Sequence, residues 1–294
     1  MNCGYVALIG RPNVGKSTLM NHMLGQKISI TSRKPQTTRH RILGINTTEA
    51  GQIIYMDTPG MHRVEKKALN RYLNKTADTT LLGVDLVVWL IDGLSWHDYD
   101  EVIFNKLERA GLPVILAVNK VDKVKDKDSI LAFFAKAQKR YPFTEMLPIS
   151  ALKGTNLESL EAVLLKQLPE SELIYPEDQI TDRPERFLAA EIVREKLTRR
   201  LGDELPYSMT VEIERFEEQK KITKIYAIVW VERDSQKNIV IGKQGEMLKK
   251  VGTDARIDIE KLIDKKVYLQ IWVKVKKGWA NNERALHSLG FMDE

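Results

Sequence analysis

Apolar residues recur along this chain with two periods, and the period changes at recognisable punctuation. In the first 168 residues, short apolar runs alternate with helical patterns. Tyr5–Ile9, Leu86–Asp92, Val114–Val118 and Glu145–Ile149 read as strands. Leu86–Asp92 and Val114–Val118 are apolar at nearly every position, as expected of parallel strands covered on both faces. Ile42–Thr47 and Gln52–Met56 form a pair of strands joined by Thr48-Glu49-Ala50-Gly51. A helix is expected from Lys16, with Gly25 as its C-cap, and others over about 65–82, 99–110 and 157–168. The alternation predicts a doubly wound α/β domain, with ligands at the carboxyl tips of its strands.

The pattern changes after Leu168. Residues 169–182, PESELIYPEDQITD, are acidic, aperiodic and hold two prolines, so they read as a linker. From Pro184 to Leu201 the residues Phe187, Leu188, Ile192, Val193, Leu197 and Leu201 recur at helical steps, and Gly202 ends the run. Strands follow at about Met209–Phe216 and Ile222–Val231. A short helix capped by Ser235 runs to Ile241, a longer one spans about Glu246–Leu262, and a last strand spans Lys266–Lys276. Residues 281–289 suit one more short helix. Trp230 and Trp272 lie on strands and are expected in the core, whereas Trp279 lies beyond the last strand and suits a surface role. The division is therefore 1–168, a linker over 169–182, and 183–294.

The chemistry sits at the punctuation. Gly10-Arg11-Pro12-Asn13-Val14-Gly15-Lys16-Ser17, followed by Thr18, fits G-x-x-x-x-G-K-[ST] between a strand and a helix. That loop wraps backbone N–H groups around a phosphate chain, while its lysine reaches the terminal phosphates and its serine hydroxyl ligates Mg²⁺. Ser29 to Arg41 is polar and basic, without a period. Of its threonines Thr37 and Thr38, we favour Thr38 as a second metal ligand sensitive to the γ-phosphate. Asp57-Thr58-Pro59-Gly60 closes an apolar strand: the acid suits a Mg²⁺ contact, and the Gly60 N–H suits the γ-phosphate. Asn119-Lys120-Val121-Asp122 closes another. A carboxylate there accepts from both the ring N–H and the exocyclic amine of guanine, a pair that adenine lacks. Ser150-Ala151-Leu152, in SALKG, offers backbone to the guanine oxygen. These positions make up an expected GTP/GDP and Mg²⁺ site, with Lys16, Thr38, Asp57, Gly60 and Asn13 as the catalytic group.

The position after Gly60 is Met61, where many GTPases carry a glutamine that orients water. Water positioning then falls to backbone, to a partner or to a monovalent cation. The side-chain carbonyl of Asn13 is a candidate K⁺ ligand. His22, His40, His62 and His97 show no ligand spacing.

In the second half, Ile241-Gly242-Lys243-Gln244-Gly245 places GxxG between two helices after two strands. That order is the nucleic-acid clamp of a KH domain, with backbone approach at the glycines and a groove beside the loop lined by Ile239 and Ile241. Charge supports a polyanion. Residues 1–170 carry 23 basic and 17 acidic residues (+6), residues 171–218 carry 7 and 13 (−6), and residues 219–294 carry 16 and 10 (+6). The chain has 294 residues with 43% hydrophobic and 29% charged, enough for two cores, and no apolar run reaches transmembrane length. No secretory leader is expected, and the lone Cys3 makes no internal disulfide.

Taken together, GRPNVGKS at 10–17, QTTRHR at 36–41, DTPG at 57–60, NKVD at 119–122, SALKG at 150–154, RPERF at 183–187 and VIGKQG at 240–245 resemble the Era family of bacterial GTPases over almost the full length. The resemblance implies a P-loop NTPase fold followed by an α+β type II KH domain. It implies Mg²⁺-dependent hydrolysis of GTP to GDP. It also implies binding to 16S rRNA near its 3′ end and a role on the 30S ribosomal subunit. It implies a cytoplasmic protein with peripheral contact to the inner membrane, a link to cell-cycle timing, a monomer and no DNA partner. Met61 is no departure, because the family lacks the glutamine. An alternative is a nucleotide-gated RNA-binding module in which GTP binding is the signal. An RNA-stimulated ATPase or kinase is disfavoured by NKVD.

Overall fold

The computed structural model describes residues 1–34, 37–59, 68–202, 205–289 and 291, and omits the side chains of 74, 77 and 78. The chain divides into two compact units. One holds Met1–Ser29, Thr38–His62 and Leu73–Asp182; the other holds Ile30–Thr37, Arg63–Tyr72 and Arg183–Glu294.

The first unit is built on strands β1 (Asn2–Gly10), β2 (Ile42–Thr48), β3 (Gly51–Asp57), β4 (Leu86–Asp92), β5 (Val114–Asn119) and β6 (Glu145–Pro148). They form one sheet in the order β2-β3-β1-β4-β5-β6, and β2 alone is antiparallel to its neighbour. The helices are α1 (Lys16–Met23), α2 (Ala68–Thr79), α3 (Asp98–Ala110), α4 (Asp128–Gln138) and α5 (Leu157–Gln167). Every residue of β4 from Leu86 to Ile91 is buried, as its unbroken apolar run demands. Helix α4 is an element that the sequence reading passed over. Its buried Ile130, Phe133 and Ala137 recur at three- and four-residue steps, so the signal was present. Since β1 lies between β3 and β4, the chain changes direction across the sheet at the carboxyl tip of β1, the position at which such sheets bind ligands.

The aperiodic 169–182 stretch is strapped to this sheet. Ile174 and Tyr175 donate their N–H groups to Gln52 Oε1 at 3.0 Å each, Ile180 accepts from Ile45 N–H at 2.8 Å, and Asp182 accepts from Leu43 N–H at 3.1 Å. A buried glutamine and a free sheet edge hold it in place of a repeating apolar face.

The second unit contains α6 (Glu185–Arg200), β7 (Met209–Glu218), β8 (Ile222–Val231), α7 (Asp234–Ile241), α8 (Glu246–Ile263), β9 (Lys266–Val275) and α9 (Glu283–Ser288). Its sheet runs β7-β8-β9, with β7 antiparallel and β9 parallel to β8. Helices and sheet share one core that includes Ile192, Leu197, Val229, Val251 and Ile259. Helix α7 begins two residues earlier than expected. Arg233 is its N-cap, and Gln236 accepts from the Arg233 N–H at 3.1 Å, so Ser235 lies inside the helix. The tryptophan expectations reverse. Trp279 is fully buried, stacked on Phe291 with centroids 6.0 Å apart and bonded through Nε1 to Ser208 O at 3.3 Å. Trp272 is 38% exposed, and Trp230 is half-buried.

Ile30–Thr37 belongs with α6. Glu195, fully buried, accepts from the Thr31 N–H at 2.9 Å, and Arg199 Nε donates to Thr31 O at 2.9 Å. Arg194 donates to Thr37 O, and Lys34 Nζ donates to Gly202 O at 2.9 Å.

Candidate nucleotide site and nucleic-acid loop

In the first unit, the tips of β1, β3 and β5 bring the predicted residues together. The loop after β1 turns through Asn13 at φ 64° and Gly15 at φ 109°, and α1 starts at Lys16. A Cβ on Gly15 would lie 2.3 Å from Asn119 Nδ2, so a side chain there is excluded by the neighbouring loop as well as by conformation. Lys16 is buried and donates to Gly10 O at 2.9 Å and Arg11 O at 3.1 Å. Burial pulls its ammonium down to about 8, against the opposing field of Asp57. Arg11 reaches the other way: its Nε lies 3.1 Å from Asp100 Oδ1 on α3. Burial pushes the Asp100 carboxyl up, with His97 N–H and Arg11 opposing.

Four hydroxyl and carboxylate groups converge beside Lys16. Asp57 is fully buried, and its Oδ2 accepts from Ser17 Oγ at 2.6 Å and Ser29 Oγ at 2.7 Å, with Thr38 Oγ1 at 3.5 Å. Ser17 Oγ and Thr38 Oγ1 are 3.0 Å apart. Burial pushes the Asp57 carboxyl up, while Ser17, Lys16, Ser29 and Thr38 pull it down. The second oxygen, Asp57 Oδ1, is buried and has no hydrogen-bond partner among the described residues. An acceptor in that condition is costly unless a cation or water completes it. Two hydroxyls and a carboxylate of this kind form an oxygen donor set suited to Mg²⁺. Thr58 Oγ1 bonds back to Leu8 O at 3.2 Å, and Pro59 is buried. Gly60, Met61, His62 and Gln36 lie outside the described residues.

The third tip organises a cluster of loop-to-loop hydrogen bonds. Asn119 is buried; its Nδ2 donates to Val14 O at 2.7 Å, and its Oδ1 accepts from Lys120 N–H at 2.8 Å and Ala151 N–H at 2.9 Å. One amide thus ties the phosphate loop, the NKVD turn and the Ser150-Ala151-Leu152 turn. Lys120 adopts φ 65°, donates to Asn13 O at 2.9 Å and pairs with Asp92. Ser150 Oγ donates to Asp122 Oδ1 at 2.6 Å. This bond holds the Asp122 carboxyl below the usual carboxylate range, so it stays an acceptor. Val121 lies in the short turn after β5, and Leu152 is exposed.

Ser29, Asp92 and Asp100 were not anticipated. Ser29 sits in the basic loop, where nothing in the pattern separates it from its neighbours. Asp92 and Asp100 act on Lys120 and Arg11, and an indirect role leaves no motif.

In the second unit, α7 ends at Gly242, with φ 74° and ψ 177°. A Cβ there would lie 2.7 Å from Met247 Cβ. The turn continues through Gln244 at φ 51° and Gly245 at φ 80° into α8. Lys243 and Gln244 are exposed, as is Ile239 at 55%, while Ile241 is half-buried. The loop is an open strip between two helix ends, able to accept a backbone phosphate.

Comparison with known proteins agrees with both halves. The model of the 50S ribosome-binding GTPase family matches residues 5–120, and that of the KH domain matches residues 204–280. GTPase Era of Marinobacter nauticus is 57% identical over 291 residues, covering 99% of this chain and 95% of the relative. GTPase Era of Pseudomonas fluorescens is 56% identical, covering 99% and 97%. A crystal structure of Aquifex aeolicus Era bound to GDP·AlF4⁻ superposes with a TM-score of 0.96 at 41% identity, covering 99% of each chain. A structure of Era in complex with MgGDPNP and nucleotides 1506–1542 of 16S ribosomal RNA has a TM-score of 0.95 at 40% identity and the same coverage.

Proposed function

Because this chain belongs to the Era family of GTPases, we propose that it binds GTP with Mg²⁺, hydrolyses it slowly to GDP, and holds 16S rRNA near its 3′ end through the Gly242–Gly245 loop. The observation that carries the nucleotide half is the Asp57 carboxylate, one oxygen gathering three hydroxyls and the other buried with no partner among the described residues. Ser17, Thr38 and Asp57 would hold the metal, which supplies positive charge against the phosphates. Lys16 moves from the carbonyls of Gly10 and Arg11 to the phosphate chain, exchanging neutral acceptors for charged ones. Asp122 and the Ala151 backbone read guanine. Asn13 is the proposed ligand of a K⁺ that assists hydrolysis, with Gly60 contacting the γ-phosphate. The test is turnover with Asp57→Asn at rising Mg²⁺ and in K⁺ against Na⁺. Wild-type turnover by Asp57→Asn at low Mg²⁺ would refute the metal assignment. Equal rates in both salts, with Asn13→Ala unchanged, would refute the cation role.

The biological setting proposed is maturation of the 30S subunit in the cytoplasm, with peripheral inner-membrane contact. Among the described residues, no helix is long and apolar enough to cross a membrane.

A second reading, in which GTP binding is itself the signal, draws support from chain continuity. Thr38 bonds into the Asp57 cluster of the first unit, while the next residue back, Thr37, belongs to the second unit, where its carbonyl accepts from Arg194 of α6. A nonhydrolysable GTP analogue separates the two. Maturation and release with the analogue favour the signal reading; arrest favours hydrolysis as the timed step.

A further inference from the structure

The open face of the three-stranded sheet carries a ligand surface that the GxxG loop does not use. Helical residues Val240, Val251, Ala255 and Ile259 pack with Ile225, Ala227 and Val229, which fixes the covered face. Alternation then places Lys224, Tyr226, Ile228 and Trp230 of β8 on the opposite face. The parallel register sets Lys224 beside Tyr268, Tyr226 beside Gln270, Ile228 beside Trp272 and Trp230 beside Lys274.

Three rings form a row. Tyr226 and Trp272 are nearly parallel, 14° apart with centroids at 6.0 Å, and Tyr268 meets Tyr226 edge-on at 6.1 Å. Cations frame them. Arg215 lies 4.9 Å from the Tyr226 ring, and Lys274 and Lys276 lie 5.9 and 5.6 Å from the Trp230 ring. Trp272 and Tyr268 are 38% and 46% exposed, whereas the aliphatic Ile228 is buried. The carboxylates of this region come from β7. Glu212 accepts from Trp230 Nε1 at 2.7 Å, Glu217 pairs with Arg215, and Glu214 lies 3.6 Å from Lys274 Nζ. The lane along β8 and β9 is left aromatic and basic.

We infer that this face is a second surface for single-stranded RNA, on which unpaired bases stack against Tyr268 and Trp272 while Lys224, Lys274 and Arg215 meet the phosphates. Stacking platforms between cations bind single strands with little sequence preference, because every base has a π-face. Protein interfaces also favour Tyr, Trp and Arg but are depleted in lysine, which this lane carries on both strands. A membrane-seated face needs exposed aliphatic side chains, and the lane's central one is buried. The inference extends the proposed RNA binding without resting on the GxxG loop.

The test titrates full-length protein with fluorescent poly(U) RNA of about 40 nucleotides, long enough for two sites of roughly 4–16 nucleotides each. Tyr268→Ala and Trp272→Ala should each weaken binding about tenfold, Trp272→Phe should bind within about twofold of wild type, and Trp272→Leu should behave like the alanine variant. An unchanged far-UV circular dichroism spectrum and wild-type thermal unfolding certify that the variants keep the second unit folded, since GTP affinity reports on the first unit only. Wild-type RNA affinity in both alanine variants overturns the inference. So does full binding by Trp272→Leu, which would mean apolar contact in place of stacking. Loss of binding to anionic phospholipid vesicles with RNA affinity intact also overturns it, in favour of a membrane face. Lys243→Glu keeps the two RNA sites distinguishable. Weakening by Lys243→Glu alone leaves the GxxG reading and removes this one, and weakening by the sheet variants alone does the reverse.

Discussion

The two glycine loops proposed to meet phosphate in this chain are built in opposite ways. Gly10–Ser17 closes over buried polar groups: Lys16, Asp57 and Asn119 are all shielded, and each is tied to a neighbouring loop or to the loop itself. Gly242–Gly245 projects between two helix ends, with Gln244 and Ile239 exposed. The first design suits a discrete ligand that is surrounded, where desolvation strengthens every charged contact. The second suits a polymer that must enter and leave sideways. Similar glycine chemistry thus serves enclosure in one place and passage in the other, and the burial of the surrounding polar groups tells them apart.

That contrast can be broken by experiment. The largest effect is expected from Lys16→Ala, which should weaken GTP binding on the order of 100- to 1,000-fold and leave RNA affinity unchanged, as measured by nucleotide and RNA titrations. A parallel loss of RNA binding would erase the distinction. Asn119→Ala removes bonds to three loops at once and should cost about 2–4 kcal/mol of GTP affinity, measured by calorimetry. Gly242→Asp forces a side chain against Met247 and sets a carboxylate beside the phosphate path. It should weaken RNA binding about tenfold at constant GTP affinity. Lys243→Glu should flatten the dependence of RNA affinity on salt by about one unit of slope, because an open loop contributes through counterion release.

The smallest effect concerns pH. With the Lys16 ammonium lowered to about 8 by burial, the nucleotide-free lysine loses its proton as pH rises through that value. Only the ammonium pairs with phosphate, so GTP affinity should be flat below about pH 8 and fall above it, by at most tenfold per pH unit. The same lowered value makes the charged lysine a burden on the free fold. The unfolded chain holds the proton more tightly between about pH 8 and 10.5, so nucleotide-free stability should rise with pH across that window while affinity falls.

The clustering of the candidate nucleotide-site residues was legible in the sequence because the proposed chemistry fixes residue type and spacing together. Ser17, Thr38 and Asp57 meet, and Asn119 joins the phosphate loop to Ala151, although they are far apart in the chain. The aromatic face was legible too, yet the residues were assigned wrongly. From 266 to 275, Lys, Tyr, Gln, Trp and Lys alternate with Val, Leu, Ile, Val and Val, so Trp272 shares the polar parity. Treating a tryptophan on a strand as core ignored that parity. Trp279 could not be placed by period, since its burial depends on Phe291, brought back by a short helix. Ser29 and Asp100 are legible only in three dimensions, because each acts through a partner far away in sequence.

The single amide of Asn119 has a consequence for selectivity. It holds the carbonyl of Val14 in the phosphate loop with one end and the backbone of the Asn119-Lys120-Val121-Asp122 and Ser150-Ala151-Leu152 turns with the other. Base fit and phosphate fit therefore share a mechanical joint, and their free energies should not add as independent terms. If Asp122 reads guanine as proposed, a nucleotide with the wrong base should displace Asp122, strain the joint, and loosen its own triphosphate. Discrimination against adenine then exceeds what the missing hydrogen bonds alone supply, and guanosine without phosphates binds more weakly than its base contacts predict.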